Sequence, residues 1–279
     1  MRIIRHFSKE NTLKSSVLTI GNFDGVHIGH QELVKKVCML AKKHNTLSVV
    51  ITFEPHPAEV LSSRKNFRIA SLRNKILILK RLGIDVLYLQ SFTKKFAEIS
   101  AQEFIDTILI KYFNPKHIII GYDFVFGKNK EGNGQLLQKY AENYNIGFTQ
   151  LLPVKNDNYN ISSSIIRKLI SGGKIKEAEH MLGYQYCITG FAIDKGNIST
   201  KFKLPVIEMC LYNISCPKLG IYKSSIEINN SSFDAIVNVK SSINPDCTGH
   251  LEIYVAEYKY ELHNRRIQVK LLKEIDIIK

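Results

Sequence analysis

Along the first two thirds of the chain, short continuous apolar runs alternate with stretches whose apolar positions fall three and four apart. Residues 16–21 (SVLTIG), 47–53 (LSVVITF), 85–90 (DVLYLQ), 117–121 (HIIIG) and 146–152 (IGFTQLL) are β-rich runs. The unbroken apolarity of the second is what a strand covered on both faces requires. Between them, 29–44 sets Leu33, Val34, Val37, Leu40 and Ala41 on one helical face. Ser71 can cap a helix running through Leu82 and ending at Gly83. Ser100 begins another, with Glu103 completing a capping box, and 134–145 reads as a third. Two short helices follow near 163–170 and 174–182. Strand–helix alternation predicts an α/β domain on a parallel sheet, with ligands at the carboxyl ends of its strands. After about Tyr184 the helical period fades. Short β runs at 186–193, 208–214, 224–228, 235–239, 251–257 and 266–270 stand between polar turns, predicting a small antiparallel barrel or sandwich. The change of period divides the chain into 1–185 and 186–279.

At about 150 residues per domain, a length of 279 residues suits one large domain or two of ordinary size, and 44% hydrophobic content excludes a disordered chain. No apolar run reaches the roughly 18 residues of a membrane span. The segment MRIIRHFSKENTLK has no apolar stretch ending in a small-residue cleavage site, so no signal peptide is expected. Five scattered cysteines without a CxxC argue against a disulfide framework or zinc ribbon and for a cytoplasmic location. The net charge of +14 admits a nucleic-acid partner, small phosphorylated substrates, or a Lys/Ile/Asn-rich composition with no functional meaning. The lysines are spread along the chain, with no recognition helix and no aromatic–basic stacking pattern. Neither nucleic acid nor membrane is therefore expected as a partner, and composition leaves the oligomeric state open.

Chemistry is densest at residues 21–30, GNFDGVHIGH. Gly21 and Gly25 permit turns that bring amides close to a ligand. A helix starting near Gly29 points free N–H groups and its positive dipole end into the loop, a setting for phosphate. His27 and His30 stand there as donors for developing charge. Neither a Walker A loop nor GxGxxG fits, and two histidines without Cys or carboxylate partners make a weak metal site. At 161–167 (ISSSIIR), three hydroxyls at a helix start with Arg167 one turn on form a second phosphate-binding pattern.

GNFDGVHIGH followed by SSSIIR resembles the HxGH nucleotidyltransferase superfamily. With 52–57 (TFEPHP) and 121–127 (GYDFVFG), residues 16–185 look like the bifunctional riboflavin kinase/FAD synthetase family. The resemblance implies a Rossmann-like nucleotidyltransferase domain followed by a small antiparallel β-barrel, and an FMN adenylyltransferase that makes FAD and pyrophosphate from ATP and FMN, with Mg²⁺ carried on the ATP. It implies catalytic roles for His27 and His30. ATP is then bound by Gly21, Phe23, Asp24, Gly29, Ser163, Ser164 and Arg167, and FMN by Phe53, Pro55, His56, Pro57, Asp123 and Phe126. Ser164 replaces the family's common Thr and keeps the hydroxyl.

The barrel departs from the family's riboflavin kinase pattern. Where the family has Gly-Phe-Pro-Thr-Ala-Asn, residues 203–208 read KLPVIE, so Val206 and Glu208 replace the Thr and Asn of the ATP–Mg²⁺ site. A Val methyl neither coordinates Mg²⁺ nor donates to phosphate. The preceding loop, 194–200 (DKGNIST), lacks Arg. The later Gly-x-x-Pro-Thr segment has become 240–246 (KSSINPD). Residues 251–254 (LEIY) keep Glu252 where the family has its catalytic base, and 262–269 (LHNRRIQV) resembles the next hairpin. The sequence ends at Lys279 without the family's usual closing helix. The expectation is an FAD synthetase with a vestigial kinase barrel. The alternatives are the fully bifunctional enzyme and, in another class, a non-enzymatic nucleic-acid binder.

Overall fold

A computed structural model describes residues 1–5, 12–62, 66–156, 159–200, 202–229, 231–256 and 264–275. Glu257, Leu262 and His263, which the sequence reading uses, lie outside the described residues. The chain forms two compact units. One comprises Met1–Arg64 and Lys75–Ile161, the other Lys65–Asn74 and Ser162–Lys279.

In the first unit, β1 (Arg2–Ile4), β2 (Ser16–Ile20), β3 (Leu47–Glu54), β4 (Val86–Ser91), β5 (Pro115–Gly121) and β6 (Gly147–Leu151) form one parallel sheet in the order β1-β4-β3-β2-β5-β6. The five strands expected from sequence are all present. The sixth, β1, is an edge strand too short to show a period. α1 (Ile28–Lys43) packs across β2, β3 and β5 through Leu33, Val34, Val37 and Ala41, the face its 3.6-residue pattern predicts. Leu18, Ile20, Val49, Ile51, Ile118 and Ile120 belong to one buried cluster with Phe104, Ile105 and Leu109. α2 (Pro57–Leu61), α3 (Leu72–Arg81), α4 (Lys94–Ala97), α5 (Ala101–Glu103) and α6 (Gly134–Asn143) fill the remaining connections, with a small hairpin of β7 (Lys155–Asn156) and β8 (Tyr159–Asn160). The helix expected from Ser100 is capped by that serine, whose Oγ accepts from the Glu103 N–H at 3.1 Å. It then widens into a π-helical stretch, Phe104–Phe113, a departure that the 3.6-residue pattern does not encode.

β2 is central. The chain runs from it outward through β3 and β4, then returns to β5 on its other side. Such a reversal of strand order opens a crevice at the carboxyl ends of the two strands. The segments 21–30 and 121–127 follow those two ends, and 52–57 closes adjacent β3.

The second unit carries α7 (Ser163–Ser171), α8 (Ile175–Leu182) and an antiparallel sheet of β9 (Ile188–Phe191), β10 (Ile193–Ile198), β11 (Pro205–Tyr212), β12 (Gly220–Ile228), β13 (Ser231–Lys240), β14 (Cys247–Val255) and β15 (Arg266–Glu274). Its order is β10-β11-β14-β13-β12-β15-β9. The two outer strands, β9 and β10, are one stretch of chain broken only at Ala192, and β9 comes back against β11. The sheet is therefore a nearly closed barrel, which is how antiparallel sheets remove their edges. The loop expected at 194–200 is corrected here: it is largely strand β10, with a register shift between Asp194 and Ile198. Asp194, Gly196 and polar neighbours read as a turn, and Asp194 Oδ1 does accept from the Gly196 N–H at 2.9 Å. Pairing with β11 nevertheless holds the segment extended.

The β3–β4 ladder, paired from Val49–Val86 to Glu54–Ser91, is clamped at its start by one carboxylate. Asp85 Oδ2 accepts from the Ser48 N–H at 2.9 Å and from its hydroxyl at 2.7 Å. Asp85→Ala should lower the unfolding free energy by about 1–2 kcal/mol, read as a lower urea midpoint with an unchanged slope.

Candidate active site

The loop after β2 has a backbone that few sequences tolerate. Phe23 (φ 48°), Gly25 (φ 75°) and Val26 (φ 40°) all occupy the left-handed region. A β-branched residue there is a marked outlier, of the kind that surrounding structure must hold in place. The carbonyl of Asn22 accepts from Lys75 Nζ at 2.7 Å and from Thr52 Oγ1 at 3.1 Å. The Gly21 N–H donates to Ile51 O at 3.1 Å. Phe23, Asp24 and Val26 are buried, and Gln31 Nε2 donates to Val26 O at 2.9 Å.

At the end of this loop His27 is the N-cap of α1. Its Nδ1 accepts from the His30 N–H at 3.4 Å, which leaves its ring fixed at the helix start. The His30 ring stacks on it, centroids 3.6 Å apart and planes 17° from parallel, and lies 5.1 Å from the Phe23 ring. His30 Nδ1 is buried without a hydrogen-bond partner among the described residues, in a residue that is half-buried as a whole. Burial, then the neighbouring His27 and the Lys75 ammonium, hold its pKa well below the usual histidine value, so the ring is neutral at physiological pH. Gly29 is the close-approach glycine of the motif: a Cβ there would sit 3.3 Å from the His27 ring.

The neighbouring loops carry the other expected residues. Phe53 lies against Phe92 and Phe96, at 5.6 and 6.1 Å between centroids. Pro55 is exposed, and the Glu54–Pro55 peptide is cis. His56 is buried and caps α2, its Nδ1 accepting from the Ala58 N–H at 3.1 Å, with Pro57 as the first helical residue. Asp123 is exposed. Phe126 is buried in the core cluster, 5.5 Å from both Phe104 and Phe124.

Ser163, Ser164 and Arg167 lie on α7 and belong to the other unit. Ser162 supplies the cap, its Oγ accepting from the Ile165 N–H at 3.3 Å. Arg167 Nε donates to Phe67 O at 2.8 Å, and its guanidinium carbon sits 5.1 Å from the Phe67 ring centre.

Two residues beneath the histidine loop, Lys75 and Thr52, are absent from the sequence-derived site. Thr52 could have been found from its place in TFEPHP. Lys75 could not, because a lysine on an amphipathic helix is ordinarily solvated, whereas this one is 3% exposed. Among the described residues no group of three or more His, Cys, Asp or Glu is placed to hold a metal ion.

In the barrel, Glu252 and Glu208 are direct cross-strand partners on β14 and β11. Glu252 accepts from Lys240 Nζ at 2.6 Å, Tyr254 OH at 2.7 Å and Asn238 Nδ2 at 3.2 Å. Burial pushes its pKa up, but the hydrogen bonds from Lys240, Tyr254 and Asn238 and the Lys240 charge outweigh it, and the net shift is downward. Glu208 faces His250 Nε2 at 3.8 Å.

Residues 9–165 match the family described as FAD synthetase, and residues 182–276 match that described as riboflavin kinase. The chain is 34% identical over 284 residues to a bifunctional riboflavin kinase/FMN adenylyltransferase of Buchnera aphidicola subsp. Schizaphis graminum, covering 99% of this chain and 90% of that one. It is 30% identical over 282 residues to the protein of the same name from Escherichia coli K12, with the same coverage. A crystal structure described as a macrolide-efflux protein from Streptococcus pneumoniae has the same fold, with a TM-score of 0.85 and 28% identity over 99% of this chain and 92% of that chain. Among the described residues no helix is long and apolar enough to cross a membrane.

The depressed His30 pKa carries a stability consequence. Below the ordinary value of about 6.5, the unfolded chain takes up a proton that the folded chain refuses, so folding weakens as pH falls, until the folded-state pKa is passed. His30→Gln should make the loss of urea midpoint between about pH 7 and pH 5 measurably shallower than in the parent protein.

Proposed function

The chain belongs to the bifunctional riboflavin kinase/FMN adenylyltransferase family, and we propose that it makes FAD by adenylyl transfer from ATP to FMN while its barrel does not phosphorylate riboflavin. The observation that carries the first half is the stacked histidine pair at the start of α1, with the His30 ring held neutral by its burial, on a strained loop at the carboxyl end of the central strand. In the reaction an oxygen of the FMN phosphate attacks the α-phosphorus of ATP. The bond from that phosphorus to the bridging oxygen breaks, and pyrophosphate leaves with the electron pair. The attacking group is already an anion and needs no base. Catalysis is therefore positioning plus stabilisation of charge on the leaving oxygens. A neutral imidazole still offers one N–H for this. Its place at a helix N-terminus adds the amides and the dipole.

In this reading His27 and His30 act on the phosphates. Gly21, Phe23, Asp24 and Gly29 shape the loop around ATP, while Ser163, Ser164 and Arg167 bind its triphosphate. Phe53, Pro55, His56, Pro57, Asp123 and Phe126 serve FMN. The adenylyltransferase residues follow the sequence division 1–185. Magnesium enters as MgATP, held by phosphate oxygens and water, which octahedral Mg²⁺ favours.

The second half rests on Glu252. A general base needs an available lone pair and a pKa near the working pH. This carboxylate has three donors and a pKa shifted the wrong way. Val206 and Glu208 stand where the family's pattern has a metal-site Thr and Asn. Glu208 directly opposes Glu252.

Purified protein with MgATP and FMN should release FAD and pyrophosphate, and His30→Ala should lower kcat/KM by about 10²–10³ with the chain still folded. No FAD from the parent protein overturns the adenylyltransferase. Riboflavin with MgATP should yield no FMN above a protein-free blank, and FMN formation abolished by Glu252→Gln would show the barrel to be a working kinase.

A further inference from the structure

Residues 65–74 interrupt the sequence of the first unit, yet they belong to the second. They are tied to the barrel at both ends. The Asn66 N–H donates to Asn213 Oδ1 at 3.1 Å. The Ser215 N–H donates to Arg68 O at 2.8 Å, and Arg68 pairs with Ile214 as a parallel bridge. Further on, Asn74 Oδ1 accepts from Thr189 Oγ1 at 3.0 Å and its Nδ2 donates to Cys187 O at 3.3 Å. Phe67, Arg68, Ile69 and Ala70 are all buried. The segment is thus a strap bound down on the barrel, quite unlike a solvated connection.

From this strap Phe67 holds Arg167 at two points: its carbonyl takes the Nε–H at 2.8 Å, and its ring lies under the guanidinium at 5.1 Å. A guanidinium is a rigid planar fork. Fixing Nε and one face therefore fixes the direction of the two terminal nitrogens. A long side chain ordered before its ligand arrives does not lose that freedom on binding.

We infer that the strap is a positioning device for Arg167, anchored at Asn213–Ser215, through which the barrel serves adenylyl transfer whether or not it phosphorylates anything. This rests on the reading of Arg167 as a triphosphate ligand. Phe67 acts through Arg167 and touches no substrate. Its loss is felt as weaker ATP binding, with the chemical step unchanged.

Steady-state FAD formation by the full chain tests this, with MgATP and FMN varied separately. Phe67→Leu, which keeps apolar bulk but loses the π face, should raise KM for ATP about fivefold. The kcat and the KM for FMN should stay within about twofold, and Phe67→Tyr should restore the parent value. In an Arg167→Ala background Phe67→Leu should add nothing, since the two act as one unit. An unchanged KM for ATP in Phe67→Leu, or an equal further loss in the Arg167→Ala background, overturns the strap. An Arg167→Ala enzyme with the parent's KM for ATP overturns the triphosphate reading itself, and the strap with it. Should Phe67→Leu unfold, Asn213 carries the test. Asn213 has φ 52°, so Asn213→Gly keeps the backbone and loses the acceptor, while Asn213→Asp keeps both. A raised KM for ATP in the first and not the second supports the strap, and parent values in both overturn it.

Discussion

Everything at the histidine site depends on one carbonyl. Asn22 O is the shared acceptor of a lysine that reaches it from α3 and a threonine at the end of β3. Two donors on a single oxygen fix the chain at the point where it leaves the sheet. The next residues can then take positive φ, including at Phe23 and Val26, where the side chain makes that conformation costly. The cost is met because Phe23 and Val26 are also buried, so the loop cannot relax without exposing apolar surface. The strained turn delivers His27 to the cap position of α1, and the helix places His30 over it. The buried ammonium of Lys75 has a second effect, since it adds to the burial and the His27 ring that keep His30 neutral. One lysine thus shapes the loop and sets the charge state of the ring that the loop presents.

How much of this was legible in the sequence follows from what kind of signal each feature leaves. The five longer strands and α1 are written in apolar periodicity, because a sheet covered on both faces and a helix packed on it must bury those positions. The histidine loop is written in its glycines, its two histidines and its place after a strand. β10 was hidden, because an outer strand with polar side chains looks like a turn until its partner is known. The π-helical stretch left no mark, since the same residues suit an α-helix. Lys75 and the 66–74 strap were beyond reach for a different reason. Their roles come from long-range packing: Lys75 meets Asn22 across 53 positions, and Phe67 meets Arg167 across 100. Local propensity carries no information about such pairs. Ser162 is a local case instead: its hydroxyl suits either a phosphate ligand or a helix cap, and it caps α7 through the N–H three residues on.

The two phosphate-binding patterns account for little of the +14, which counts histidine as neutral: Arg167 is the one cationic residue they share between them. Several lysines are spent on exposed ion pairs such as Lys35–Glu32 and Lys128–Glu98, worth little in water. An excess of positive charge still raises the encounter rate with anionic nucleotides at low salt.

In the barrel, the chemistry turns on two carboxylates set opposite one another. Like charges directly across a ladder repel, and Glu208 with Glu252 is such a pair. The repulsion is relieved by drawing cations to each side: Lys240 to Glu252, and His250, when protonated, to Glu208. On the proposed reading, relief of that kind works against general-base chemistry, because the lysine beside Glu252 also occupies one of its oxygens and lowers its affinity for a proton. In the reading proposed for this barrel, replacing an amide by a carboxylate at position 208 therefore does two things. It removes a neutral ligand from the nucleotide side, and it makes the ion pair that silences Glu252 worth forming. A barrel altered in this way still closes, because closure depends on the inward alternation of Ile207, Met209, Leu211, Leu251 and Ile253. None of those positions faces the carboxylates. The residues that close the barrel and the two opposed carboxylates lie on opposite faces of the same strands, so a change at one set leaves the other in place.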